Sequence, residues 1–256
     1  MLFWVFFAIC AIFTFFTEMD IGHFYDFGRG LNPSYLLMPA PTLSDPKISM
    51  QIERHRLQGE AIRHLTSPNQ GGPYAVGALD TIIIHYTACR DAQEAIDILC
   101  STERRVSAHL VVGRDGSLTQ LLPFDTVGWH AGQSRWGTRE HFNQYSLGIE
   151  IDNAGQLEEK DGRFFSWWGA EYPSDQVVEG VHRHHTQPTF WHAFPARQID
   201  LVERLCALLT ATYPIDHILG HEEIAPQRKI DPGPAFPLDR LRGGLFKSRP
   251  VLEGQS

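Results

Sequence analysis

The sequence predicts an α/β fold in which a single domain carries a central mixed β-sheet flanked by helices, preceded by an N-terminal hydrophobic segment. Three observations predict it. Thr81-Ile82-Ile83-Ile84 is a β-branched run of the kind buried on both faces of a sheet. Arg114-Asp115-Gly116-Ser117 places a turn between two short apolar stretches, His109 to Val112 and Leu118 to Leu122. Arg197 to Tyr213 sets Val202, Leu205, Leu209 and Tyr213 along one helical face, with Pro214 as the stop. The 256 residues suffice for one large domain, and a 43% hydrophobic content with 16 Phe and 6 Trp excludes wholesale disorder. A net charge of −8 argues against a nucleic-acid partner held by a general positive field. Four cysteines without a CxxC pair are too few for a disulfide scaffold, whereas 13 histidines prompt a search for metal ligands.

In chain order, residues 2–16 are apolar apart from Thr14, closed by Glu18 and Asp20. The run is shorter than the roughly 20 residues of a membrane-spanning helix and fits the core of a signal peptide. It has no preceding Lys or Arg and no small-residue cleavage site, so an export signal or anchor, a buried helix and a true start at Met19 all remain readings. We expect export to the cell envelope, with residues 2–16 as the membrane-associating segment; a start at Met19 implies a cytoplasmic protein. Residues 19–66 form a lead-in punctuated by Pro and Gly, with a polar helical patch around Ile52 to Leu65. The principal domain is expected over 67–245 and a tail over 246–256. After the Ile-rich strand, Asp91 offers a helix N-cap with Glu94 three residues on, followed by Ala95, Ile96 and Leu99 at helical spacing. Leu147 to Ile151 and Ile215 to Leu219 read as strands. Residues 156–195, rich in aromatics and histidines, read as an irregular insertion.

Chemistry concentrates at two places. His85 ends the Ile-rich strand at the sheet edge; alone it reads as well as a histidine bonded to backbone. Gly220-His221-Glu222-Glu223-Ile224-Ala225-Pro226-Gln227-Arg228-Lys229-Ile230-Asp231-Pro232-Gly233-Pro234 gathers His, Lys and Asp in one loop, with Asp231 held in a stiff Pro-Gly-Pro turn. Two imidazoles and a carboxylate suit zinc and leave a fourth position for water. Val181-His182-Arg183-His184-His185 with Trp191-His192 reads as a solvated or substrate-rim loop, with a second zinc site as the alternative.

The chain resembles the zinc-dependent N-acetylmuramoyl-L-alanine amidases of the type-2 group, which includes peptidoglycan-recognition proteins. The matching blocks are Ile82 to Thr87, Val106-Ser107-Ala108-His109 with Arg114-Asp115-Gly116, Gly128-Trp129-His130-Ala131-Gly132, Ser146 to Glu150, and Gly220 to Pro234. The resemblance implies one catalytic Zn2+ held by His85, His221 and Asp231, with Glu150 and Lys229 as the catalytic pair. It implies hydrolysis of the amide between N-acetylmuramic acid and L-alanine, with peptidoglycan or a muropeptide as partner. A carboxylate such as Glu150 can carry a proton from the attacking water to the leaving amine, and Lys229 can face a developing oxyanion. Tyr86, Arg114, Trp129, His130 and Arg139 are candidate substrate contacts: Trp129 by stacking on a sugar, the arginines by gripping stem-peptide carboxylates. Core packing for Trp129 and surface charge for the arginines are the competing readings. His109 is expected to be structural. Relatives carry a disulfide near Cys89 and Cys100, but free thiols fit this spacing as well.

Overall fold

The computed structural model describes residues 49–246. The hydrophobic segment 1–18, most of the lead-in and nearly all of the tail lie outside the described residues. In place of a helical patch at Ile52 to Leu65 there are three short strands: β1 (Gln51–Glu53), β2 (Arg56–Gln58) and β3 (Ile62–His64). The stretch has no helical apolar stripe. Its apolar residues pair across strands instead, Ile52 opposite Leu57. Arg54 and His55 turn the hairpin with φ of 49° and 62°. Leu57 is fully buried and its N–H donates to Gln120 Oε1 at 2.9 Å.

The predicted Ile-rich strand is β4 (Thr81–Tyr86), buried at every position. Asp91 caps α1 (Ala92–Cys100) by accepting from the Glu94 N–H at 2.8 Å, while Glu94 reaches back to the Arg90 N–H at 2.7 Å. The Asp-Gly turn joins β5 (Leu110–Val112) to β6 (Leu118–Gln120), with Gly116 at φ 83°. A two-stranded ribbon, β7 (Arg135–Trp136) and β8 (Arg139–Glu140), precedes β9 (Ser146–Ile151). Residues 156–192 are not irregular. They form β10 (Gln156–Lys160), β11 (Arg163–Phe165), β12 (Glu171–Tyr172), β13 (Val177–Val181) and β14 (Pro188–His192), an antiparallel sheet in the order β12-β11-β10-β14-β13. Then come α2 (Ala196–Thr212), β15 (His217–Gly220), the single turn α3 (His221–Ile224) and α4 (Leu238–Phe246). Among the described residues no helix is long and apolar enough to cross a membrane. Cys89, Cys100 and Cys206 are free thiols.

The main sheet is mixed, in the order β15-β4-β9-β5-β6-β3, parallel from β15 through β5 and antiparallel between β5 and β6. Side chains alternate between the faces of a strand. Ile82, Ile84, Leu147, Ile149 and Ile151 therefore pack with Leu201, Val202, Leu205 and Leu209 of α2. Each such side chain contributes about 1.5–3 kcal/mol on burial. On the opposite face, α1 covers only the β5–β6 half, through Ile96 and Leu99 against Val111 and Leu121. The half formed by β4, β9 and β15 is left for the loops that carry the polar site.

Candidate active site

The parallel register places His85 beside Glu150, so both emerge on the face that α2 does not cover. β15 ends next to β4 at Gly220 and leads directly into His221. The loop then returns to Asp231, whose carbonyl accepts the Glu222 N–H at 2.9 Å; the Asp231–Pro232 peptide is cis. Three atoms converge as a result: His85 Nδ1 and His221 Nδ1 are 2.9 Å apart, and Asp231 Oδ2 lies 3.0 Å from the first and 3.1 Å from the second. All three residues are buried, and together they could hold a metal ion.

The outer hydrogen bonds fix which nitrogens face the cluster. His130 Nε2 lies 3.1 Å from the Ser146 carbonyl, which can only accept, so in the neutral ring Nδ1 is the acceptor. Burial, then the neighbouring His85 and His109, hold the His130 pKa well below the ordinary value, so the ring is neutral. His85 Nε2–H therefore donates to His130 Nδ1 at 3.1 Å and leaves its own Nδ1 lone pair inward. His221 Nε2–H donates to the Ala131 carbonyl at 3.2 Å, with the same consequence. Metal-binding histidines use such outer acceptors to set tautomer and ring orientation. Burial, then the nearby His221, push the His85 pKa down to about 4. Burial opposes ionisation of Asp231, but His221 and His85 outweigh it and hold the carboxyl well below its usual range. Deprotonated imidazoles and an ionised carboxylate are the forms that bind a metal. Ligand atoms about 3.3 Å apart suit tetrahedral bonds of roughly 2.0–2.1 Å, close to the triangle found here.

Glu150 lies beside His85 in the strand register and on the same face of the sheet. Its Oε2 is sealed from solvent and has no hydrogen-bond partner among the described residues. Burial, then the charge of Asp231, push its pKa up to about 8, with Lys229 opposing. Lys229 is half-buried, and its charge acts on both Glu150 and His85. A carboxylate tuned toward neutrality beside a metal-competent cluster suits proton transfer.

The substrate-contact candidates fare differently. His130 stands behind His85, oriented by the Asn143 side chain, whose Oδ1 accepts from the His130 and Ala131 N–H groups at 3.0 and 2.7 Å. Its ring rests on Gly148, where a Cβ would meet Cγ at 2.5 Å. One ring nitrogen thus holds His85 and the other the Ser146 carbonyl, which leaves neither to line a cleft. Tyr86 follows His85 on the other face of β4, 7% exposed within the α2 core, so it does not point into the site. Arg139 binds both Asp80 oxygens, at 2.8 and 2.6 Å, and lies over the Tyr145 ring. Asp80 precedes β4, at the opposite end from His85 and about 16 Å away at the usual strand rise; Arg139 is an anchor there rather than a substrate grip. Arg114 donates to the Ala193 carbonyl at 2.9 Å and lines a cavity of about 400 Å³ with Arg63, Asp91 and Asp152, which no metal-cluster residue lines. Trp129 is half-buried, with the Arg105 guanidinium 5.6 Å from its ring centre. His109 is structural: Nδ1 accepts the Gly148 N–H at 3.0 Å and Nε2–H donates to the Thr126 carbonyl at 2.8 Å.

Sequence reasoning missed two supports. Asn143 orders the His130–Ala131 backbone, and Arg228 donates to the Ala131 and Gln133 carbonyls, each at 2.8 Å. The position of Arg228 beside Lys229 was a visible signal; nothing in the sequence marked Asn143.

The site as a whole is a buried His-His-Asp cluster that could hold a metal ion, set on the half of a mixed sheet that α2 and α1 leave uncovered, with a carboxylate and a lysine alongside. Residues 75–234, more than half of the chain, match the N-acetylmuramoyl-L-alanine amidase family, and the chain belongs to that family. It is 35% identical over 140 residues to the 1,6-anhydro-N-acetylmuramyl-L-alanine amidase AmpD of Salmonella typhimurium, covering 54% of this chain and 56% of that protein. It is 29% identical over 172 residues to the N-acetylmuramoyl-L-alanine amidase AmiD of Escherichia coli, covering 64% of this chain and 52% of the relative. The chain thus spans about half the length of the curated relatives it matches. The crystal structure of an AmpD selenomethionine derivative superimposes with a TM-score of 0.50 at 24% identity, covering 72% of this chain and 93% of that one, a likeness of fold.

Proposed function

We propose that this protein is a zinc-dependent amidase that hydrolyses the bond between N-acetylmuramic acid and L-alanine in peptidoglycan or in muropeptides released from it. The observation that carries the reading is the convergence of His85 Nδ1, His221 Nδ1 and Asp231 Oδ2 within 3.1 Å of one another. That donor set fits zinc: two nitrogens with lone pairs turned inward, one carboxylate, and the unpartnered Glu150 Oε2 on the same face of the sheet. Bound there, zinc would supply a Lewis acid and a water acidified to near neutrality. Glu150 takes the proton of the attacking water and returns it to the departing L-alanine nitrogen. Lys229 offers positive charge to the carbonyl oxygen as it gains negative charge. His130 and Ala131 hold the two imidazoles in the tautomer that leaves Nδ1 inward.

The names of the AmpD relatives make the 1,6-anhydro form of the sugar the first substrate to try. Incubating zinc-loaded protein with soluble anhydro-muropeptides and, separately, with intact sacculi tests the reading by mass spectrometry. Free stem peptides beginning at L-alanine are expected; intact substrate in both tubes, with zinc bound, would leave a peptidoglycan-binding protein instead. We further propose that residues 2–16 take the chain to the cell envelope. Recovery of the intact chain in the cytosolic fraction would exclude that.

A further inference from the structure

Resting on the metal centre just described, we propose that the sheet formed by residues 156–192 holds the metal-bearing loop in position through a buried clasp between His182 and Glu222. His182 is then a positioning residue for the ion. Glu222 directly follows the ligand His221 and is 2% exposed. Its N–H donates to the Asp231 carbonyl at 2.9 Å, which ties one ligand's neighbour to the other ligand's backbone. Its Oε2 accepts from the Gly233 N–H at 3.1 Å, two residues beyond Asp231, and from His182 Nε2–H at 2.7 Å. Its Oε1 forms an ion pair with Arg183 Nε at 2.8 Å, and its carbonyl accepts from His184 Nε2–H at 2.9 Å. Three segments meet at this one side chain: the turn after His221, the turn after Asp231, and the β13–β14 connection.

The clasp is built rather than incidental. His182 is 1% exposed, and its Nδ1 accepts the His184 N–H at 3.3 Å, which leaves Nε2–H to donate to Glu222. Trp191 of β14 stacks on the His182 ring with 5.8 Å between centres and 18° between planes. The same indole occupies the space where a Cβ on Gly233, at φ 71°, would fall, 2.6 Å from Cζ3. A buried carboxylate is tolerated only when it is paired and hydrogen-bonded, and here Arg183 supplies the pairing and His182 the buried hydrogen bond. Without them the Glu222 charge would seek water and draw both ligand turns with it. Two histidines of the tract are thereby accounted for. Among the described residues the tract forms no second cluster of ligand atoms, and His182 and His184 serve the loop that carries the ion.

The test uses the full chain. Zinc affinity is measured by competition with a chromogenic chelator, the fold is checked by circular dichroism, and the cobalt-substituted protein is examined for its d–d absorption bands. His182→Ala is expected to bind zinc up to about 10-fold more weakly, below the 10–100-fold cost of losing a group bonded directly to a ligand, with altered cobalt bands. His182→Gln, which keeps an N–H donor for Glu222, is expected to recover much of the affinity. Arg163→Ala, which breaks an exposed pair with Glu171 in the same sheet, is expected to bind as wild type does. Folded His182→Ala with wild-type affinity and an unchanged cobalt spectrum overturns the proposal. Should His182→Ala not fold, Glu222→Gln is measured in the same way, and wild-type affinity there overturns it equally. Wild-type protein that binds no zinc, or Asp231→Ala that binds as tightly as wild type, is a different result: it refutes the metal centre itself.

Discussion

Replacing Gly148 with alanine is expected to weaken metal binding although Gly148 touches no metal ligand. A Cβ at this position would lie 2.5 Å from Cγ of His130 and 2.8 Å from its Cδ2 and Nδ1. Those atoms belong to the rigid ring, not to the end of a flexible chain, so the whole imidazole must move. Its two bonds, to His85 Nε2 and to the Ser146 carbonyl, are both 3.1 Å long and have little slack. Losing the first removes the acceptor that holds His85 with Nδ1 inward. Outer-partner losses of this kind cost about 10–100-fold in metal affinity, or about 1.4–2.7 kcal/mol. Overpacking adds about 1–3 kcal/mol of destabilisation. A zinc competition titration and thermal melts with and without zinc measure both effects. The variant should lose part of the zinc-dependent rise in melting temperature as well as melting lower without metal. Zinc affinity within twofold of wild type, in folded protein, would refute the argument that His130 acts through His85.

Glu150→Gln should keep zinc affinity and lose about 10²–10⁴-fold in turnover, the usual range for a removed general base. Full activity would end the role assigned to Glu150. Because the Glu150 pKa is raised to about 8 in the folded chain, its ionisation costs stability as pH climbs from 4.5 toward 8. Metal-free Glu150→Gln should therefore gain stability over wild type in that window, as read by urea melts at pH 5 and pH 8. Burial pushes the His109 pKa down to about 4, so the unfolded chain takes up a proton that the folded one refuses. Stability present above pH 6.5 is lost as pH falls toward 4, by about 3 kcal/mol from this group. His109→Asn should be less stable at pH 7 but show a shallower acid dependence; parallel pH profiles would contradict that. Arg139→Ala should lower stability by about 1 kcal/mol and leave KM unchanged, since the partly exposed pair with Asp80 is structural. A large rise in KM would return Arg139 to the substrate.

Strong local patterns made much of the sheet legible. The β-branched run, the Asp-Gly turn and the capped α1 each state a backbone preference within a few residues, and each formed where it was expected. The hairpin at Gln51–Gln58 was not legible, because Leu57 gains its burial and its bond to Gln120 from a segment over sixty residues away. Residues 156–195 hid a sheet because its strands are short and only weakly alternating; most pair with the next strand in the chain, and β10–β14 alone closes the two hairpin groups together. Residue types at spaced motifs pointed to His85, His221 and Asp231, and the fold brings them together. The substrate contacts were less legible, since direction decides them. Tyr86 lies one residue from His85 and therefore on the opposite face. His182 looked like a surface or metal histidine because its partner, Glu222, is forty residues away.

Amide hydrolysis that depends on an ion held by His85, His221 and Asp231 must stop when that ion or one of its ligands is removed. The most direct measurement follows stem-peptide release from an anhydro-muropeptide by mass spectrometry in three samples: wild type as purified, wild type stripped by a chelator and then resupplied with zinc, and Asp231→Ala with zinc. Release in the first, loss on stripping with return on zinc addition, and none in the third is the predicted result. Release that survives rigorous stripping, or that Asp231→Ala sustains at the wild-type rate, would contradict it.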